Sequence, residues 1–301
     1  MICHSRIAGR YKMVVRRTDN SIRLETAWFD NLVTNLGMNQ IATTGPELCT
    51  QCYIGRSANV PAITDSQLGS IISTANSVSV PTYTFFDGDE PFWRAYKIFT
   101  FNAGNATGDV REVGVGPTPV TLFSRALVQG VEEVPITITV LSDEKLEVYY
   151  ERRNYINRLD SINGFQITRG PSVFDPYAAT IRASDIDVVP NIFRGHKDND
   201  GVSFAVYEQK FLGTLYQPIS GVAATGALTQ VSTYIANSYY LDYDFQFDQT
   251  QGIYVSGIGT AMFHCNQGRW QALFNPYVFK PANYRMRFKV RTSWSRYVPA
   301  L

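Results

Sequence analysis

The chain has 301 residues, 45% hydrophobic and 13% aromatic, with only 18% charged and a net charge of +1. That balance argues against a protein held to nucleic acid or to an acidic membrane by bulk electrostatics, and no apolar run reaches the ~18 residues of a spanning helix. The length is enough for two domains of ordinary size, and eighteen Tyr and eighteen Phe suit pleated strands.

In chain order, Met1 to Lys12 reads as a short arm with no apolar core of signal-peptide length, so the chain is expected to fold in the cytoplasm where it is made. Tyr11 to Thr26 reads as extended. Trp28 to Ala42 is the best helix candidate, with Leu32, Val33, Leu36 and Ile41 sharing a face, Gly37 weakening it, and Asp30 or Asn31 capping its start. A loop leads through Gly45-Pro46 to Cys49-x-x-Cys52 and a brief strand, Cys52 to Gly55. Thr64-x-x-Gln67 has capping-box spacing and predicts a short helix carrying Leu68, Ile71 and Ile72.

From Phe99 to Arg153 the chain reads as short strands closed by turns. Phe99 and Phe101 alternate with polar residues, Val113-Gly114-Val115-Gly116 and Leu122 to Val128 follow, and Leu146, Val148 and Tyr150 close the unit. A period of two is the signature of a half-buried strand. The same order returns from Tyr243 to Arg296: Phe245 and Phe247, then Ser256-Gly257-Ile258-Gly259, then Trp270 to Phe274, then Met286, Phe288 and Val290. A divergent duplication is the preferred reading. Turn signals at Ile162-Asn163-Gly164 and Arg169-Gly170-Pro171 place the boundary near residue 160. Beyond it, Thr180 to Val189, Val202 to Val206 and Phe211 to Tyr216 read as strands, and Val222 to Leu228 as a loop. The expected class is mainly β: two tandem β-sandwich (jelly-roll-like) domains, 1–160 and 161–301, with one or two short helices in the first.

Four signals carry chemistry. Cys49-x-x-Cys52, completed by Cys3, His4 or Cys265, has ligands for zinc or an iron–sulfur cluster; reduced, structural thiols are the plainer reading. Asp198-x-Asp200-Gly201 has carboxylates in a turn but lacks the remaining ligands of a calcium loop, and Asp87-Gly88-Asp89-Glu90 invites a glycosidic carboxylate pair but reads first as a turn. Arg285, Arg287, Lys289 and Arg291 fall on one face of the last strand, opposite Met286, Phe288 and Val290. A row of like charges gains nothing for an isolated fold, which suggests an acidic partner chain there. Tyr239, Tyr240 and Trp270 are candidate ligand contacts. The Gly-x-Gly pairs at 114 and 257 sit inside strand patterns, where Gly marks a bulge or a close backbone approach rather than a dinucleotide loop.

The first half, residues 22 to 153, resembles structural proteins of the baseplate and fibre region of tailed-bacteriophage tails. The resemblance rests on Asn31-Leu32-Val33-Thr34-Asn35-Leu36-Gly37, Tyr53-Ile54-Gly55-Arg56, Thr64-Asp65-x-x-Leu68, Val110-Arg111-Glu112-Val113-Gly114, Leu122-Phe123-Ser124-Arg125-Ala126-Leu127 and Lys145 to Glu151. The second half keeps only the closing pattern, Phe274-x-Pro276 and Trp294-Ser295-Arg296. The resemblance implies a virion protein without catalysis, assembled in the host cytoplasm, that joins tail and fibre components through self-association and contacts with other tail proteins. The competing classes are a receptor- or glycan-binding module at the tail tip, a glycan-cleaving enzyme and a capsid decoration protein.

Overall fold

The computed structural model describes residues 1–43, 48–78, 82–156, 161–169, 172–184, 192–195, 202–210, 219 and 222–298. The first half contains β1 (Ile2–Arg16), β2 (Ile22–Glu25), β3 (Phe29–Asp30), β4 (Leu32–Val33), helix α1 (Asn35–Thr43), β5 (Gln51–Gly55), β6 (Ile71–Asn76), β7 (Thr82–Phe86), β8 (Phe92–Phe101), β9 (Gly108–Val110), β10 (Glu112–Gly116), β11 (Ser124–Leu127), β12 (Ile138–Val140) and β13 (Lys145–Ile156). The second contains β14 (Ser161–Arg169), β15 (Ser172–Ala183), β16 (Ser203–Tyr207), β17 (Ala223–Thr225), β18 (Ala227–Val231), β19 (Tyr240–Phe247), β20 (Ile258–Cys265), β21 (Gly268–Val278) and β22 (Met286–Arg296). The class is mainly β, as the period of two predicts.

Strand pairing follows the same plan twice. In the first half the neighbours run β1–β13–β8–β7 and β4–β11–β10–β5–β6. In the second they run β14–β22–β19–β18 and β15–β21–β20–β16–β17. Taken in chain order, each strand of one list has its counterpart in the other, and every one of these pairs is antiparallel. The register agrees as well. Leu146 stands opposite Phe101 and Val148 opposite Phe99; Met286 stands opposite Phe247 and Phe288 opposite Phe245. All eight side chains are buried. Equivalent inward positions therefore carry large apolar groups in both halves, which is what fixes a register when one face is dry.

Strand pairing joins the two halves. β1 and β22 pair in parallel, from Ile2 opposite Arg291 to Ile7 opposite Arg296. With the β14–β15 pairing this makes one continuous 15-stranded sheet, and the buried apolar side chains of both halves form one cluster. The supposed N-terminal arm is thus a central strand. Its inward residues, Cys3, Ile7, Tyr11, Met13 and Val15, are buried at alternate positions; the polar residues between them disguise the period of two.

The helix begins later than the pattern predicts. Phe29–Asp30 and Leu32–Val33 are extended, and neither Asp30 nor Asn31 is the cap. Thr34 takes that role: its hydroxyl accepts the Gly37 N–H at 2.8 Å and donates to the Leu122 carbonyl at 2.6 Å. One side chain thus starts the helix and ties it to the β10–β11 connection. Gly37 is no defect, because a Cβ there would lie 2.1 Å from the Phe123 carbonyl oxygen. The second expected helix does not form. Ala62–Asp65 closes a turn, and Ile71–Asn76 is a strand. Val222–Leu228, expected as a loop, supplies β17 and the start of β18. Residues 185–189, 196–201 and 211–216, Asp198 and Asp200 among them, lie outside the described residues.

Candidate functional site

Two places gather charged and polar side chains from separated segments. The first is a latch on the outer face of β10. The Glu112 carboxylate is fully buried. It accepts the backbone N–H groups of Ser57 at 3.1 Å, Gly69 at 3.0 Å and Ser70 at 2.9 Å, and Arg125 gives it two further bonds, at 3.2 and 2.8 Å. Arg125 also binds the Asn59 carbonyl at 3.0 Å and pairs with Asp65 at 2.5 Å. A carboxylate that accepts several N–H groups and a two-point guanidinium is among the stronger arrangements available to a buried charge. Gly55 is required beside it, since a Cβ there would lie 2.4 Å from Glu112 Oε1. Gly114 makes room on the same face for Leu122 and Leu68. The segments that carry the family resemblance (Gly55, Asp65, Leu68, Glu112, Gly114, Leu122, Arg125) therefore meet at this latch. It holds the 56–70 loop on the sheet.

The second is a cleft of about 390 Å3 where the chain's first and last strands lie side by side, lined by Ile7–Arg10, Asp30–Val33, Arg153, Tyr155, Arg296 and Tyr297. Beneath it the Glu151 carboxylate, 1% exposed, receives Arg153 at 2.6 Å, Arg10 at 2.9 Å and Arg94 at 3.5 Å. Arg296 donates to the Val33 carbonyl and to Asn35 Oδ1, both at 2.6 Å. Tyr155 and Tyr297 stack with centroids 3.9 Å apart, and Arg6 lies over both rings. The Tyr297 hydroxyl donates to Glu90, which pushes its pKa up to about 12. At the back of the cleft the Asn31 amide and the Tyr150 hydroxyl meet and crowd the Gly9 Cα.

The cysteines separate into two places. Cys49 and Cys52 sit in the first-half core beside Tyr11, whereas Cys3 lies near Cys265 in the second. None of the four is in a disulfide, and all are buried. Burial raises the Cys3 and Cys52 thiols well above their usual range and Cys265 to about 12. His4 points to the opposite face from Cys3, and its ring nitrogens meet the hydroxyls of Ser293 at 2.8 Å and Ser295 at 3.1 Å. The four-ligand grouping suggested by the spacing is not assembled, and among the described residues no three His, Cys, Asp or Glu side chains converge as a metal site requires.

The cationic row on the last strand faces an acidic row on β19. Arg291 makes a two-point pair with Asp242 at 2.7 and 2.8 Å and lies over the Tyr240 ring. Lys289 stands opposite Asp244, Arg287 binds Gln246 at 3.2 Å, and Arg285 reaches Asp248 at 3.2 Å. The like-charge repulsion that suggested an outside acidic partner is relieved within the sheet. Trp270 is 3% exposed and packs on Phe263, so it offers no face to a ligand. Tyr240 lies under Arg291, and the Tyr239 hydroxyl donates to Asn35 Oδ1 at 3.2 Å. The Asp87–Glu90 turn joins β7 to β8, where Glu90 is held by Arg6 and Tyr297.

The architecture is that of a mainly β, sandwich-like protein whose strand plan occurs twice. Compared with family models, with curated proteins and with solved structures, the chain has no match.

Proposed function

We propose that the chain is a non-enzymatic structural protein of a phage tail or baseplate, connecting tail and fibre components through protein–protein interfaces. The observation that carries this reading is apolar surface on a braced scaffold. Two adjoining grooves of about 390 and 300 Å3 share Val60, Leu127 and Pro135. Val60 is 80% exposed, Val131 83% and Val134 55%. Val60 lines both grooves, and Val131 and Val134 lie in the turn between the lining residues Gln129 and Pro135; apolar surface gathered in this way marks contact sites for other chains. The latch at Glu112 fixes one of these loops to the sheet, so that the surface is presented without a large ordering cost on binding. Agreement of the latch residues with the segments that resemble tail proteins supports the same reading.

The test is incorporation into particles. Val60→Glu with Val134→Glu changes only exposed positions, so the fold is expected to survive while the chain is lost from purified particles. Particles that contain the doubly substituted chain at normal copy number sink the interface, and purified particles that lack the wild-type chain sink the virion assignment.

A further inference from the structure

The geometry points to a binding site for a carboxylate-bearing sugar in the cleft between β1, the Asp30–Val33 segment and the Arg296–Tyr297 end of β22. This inference does not rest on the assembly reading, because the apolar grooves and the cleft have different walls, apart from the Asp30–Leu32 segment that they share.

Charge sets the ligand's sign. Three guanidiniums, from Arg10, Arg94 and Arg153, converge on the single buried carboxylate of Glu151. Arg296, on the opposite wall, is bonded among the described residues to the neutral acceptors Val33 and Asn35. Asp30, which is exposed, is the one acidic residue of the lining among the described residues. The cleft thus holds more cationic than anionic groups in a partly desolvated place, where an added carboxylate supplies the missing countercharge. Guanidinium is the planar fork that matches a carboxylate at two points.

The remaining features select a sugar over a bare oxyanion. The partly exposed Tyr297 ring, backed by Tyr155, gives a flat aromatic wall of the kind that packs on the C–H face of a pyranose. A volume of about 390 Å3 lies within the range of small-molecule sites.

Isothermal titration of the whole chain with glucuronic acid, glucose and inorganic phosphate distinguishes the possibilities. Glucuronic acid is expected to bind at least about tenfold more tightly than either of the others, since hydrogen bonds to a charged group are worth about 1.5–3 kcal/mol and 1.4 kcal/mol is tenfold. Arg296→Gln is expected to lower that affinity about tenfold. Asp30→Asn, an exposed change that the fold tolerates, is expected to raise it severalfold by removing the one opposing charge; this variant decides the location where Arg296→Gln unfolds. Equal binding of phosphate overturns the sugar assignment, and absence of glucuronate binding overturns the site. Binding unchanged by Asp30→Asn, or by a folded Arg296→Gln, places the ligand elsewhere and overturns the cleft.

Discussion

Glu112→Leu should cost this protein a large part of its stability. The substitution keeps the volume but removes the carboxylate that accepts five of the latch's hydrogen bonds. It strips Arg125, 4% exposed, of two of its bonds and leaves the N–H groups of Ser57, Gly69 and Ser70 without their acceptor. Removing one partner of a buried ion pair costs about 3–5 kcal/mol when the other charge is left unpaired, and the Asp65 partner that Arg125 keeps holds the cost to the lower end of that range. Each orphaned buried N–H would add about 1–3 kcal/mol, but the 56–70 loop can lift into water and recover that hydration. The expected loss is therefore about 4 kcal/mol, against a typical total of about 5–15 kcal/mol. Adding Arg125→Met removes a buried guanidinium that has lost one of its two carboxylates and should recover part of the loss, since the partly exposed Asp65 it leaves behind can turn to water, while the loop remains unlatched. Urea unfolding at constant pH measures the stability, and hydrogen exchange at Ser57, Gly69 and Ser70 reports the loop. A loss below about 1 kcal/mol with those amides still protected would contradict this account of the latch.

Three further outcomes follow from other parts of the fold. Gly37→Ala drives a methyl group against the Phe123 backbone, so a residue that ordinarily favours helix should here lower the thermal midpoint, by an overpacking cost of about 1–3 kcal/mol; an unchanged midpoint contradicts the close approach. His264 has its pKa pushed down to about 4 by burial and by Arg269. The folded state therefore resists the proton that the unfolded chain takes up near pH 6.5. Stability should be unaffected by His264 above that pH and fall as pH drops from 6.5 towards 4, a dependence that His264→Phe removes from the pH profile of urea midpoints. Arg291→Asp should destabilise by setting two carboxylates face to face, and adding Asp242→Arg should restore about 0.5–1 kcal/mol; a double-mutant cycle with no coupling would show that the two-point pair contributes nothing.

Which face of each long strand is buried could be read from local pattern alone. Phe99 and Phe101, Phe245 and Phe247, Leu146 and Val148, Met286 and Phe288 all point inward as their alternation requires, and the matched order of these segments is present in the paired registers of β8 with β13 and of β19 with β22. Period is a local property, and local properties survive in a one-dimensional chain. Neighbours are not local. Nothing in Arg285, Arg287, Lys289 and Arg291 reveals that Asp242, Asp244 and Asp248 lie alongside, because that depends on which strands pair. The same holds for Glu112 and Arg125: both lie in the segments that suggested a family, yet their joint grip on the 56–70 loop exists only after β10 and β11 pair and the loop folds over them. Least legible is the cleft. Its arginines stand singly in separate segments with no spacing to connect them, and they converge because β1 runs beside both β13 and β22. The helix boundary depends on a tertiary contact too, since Thr34 caps only where the Leu122 carbonyl lies within reach of its hydroxyl. Sequence pattern sets what each strand hides, and long-range register sets what each charged group meets.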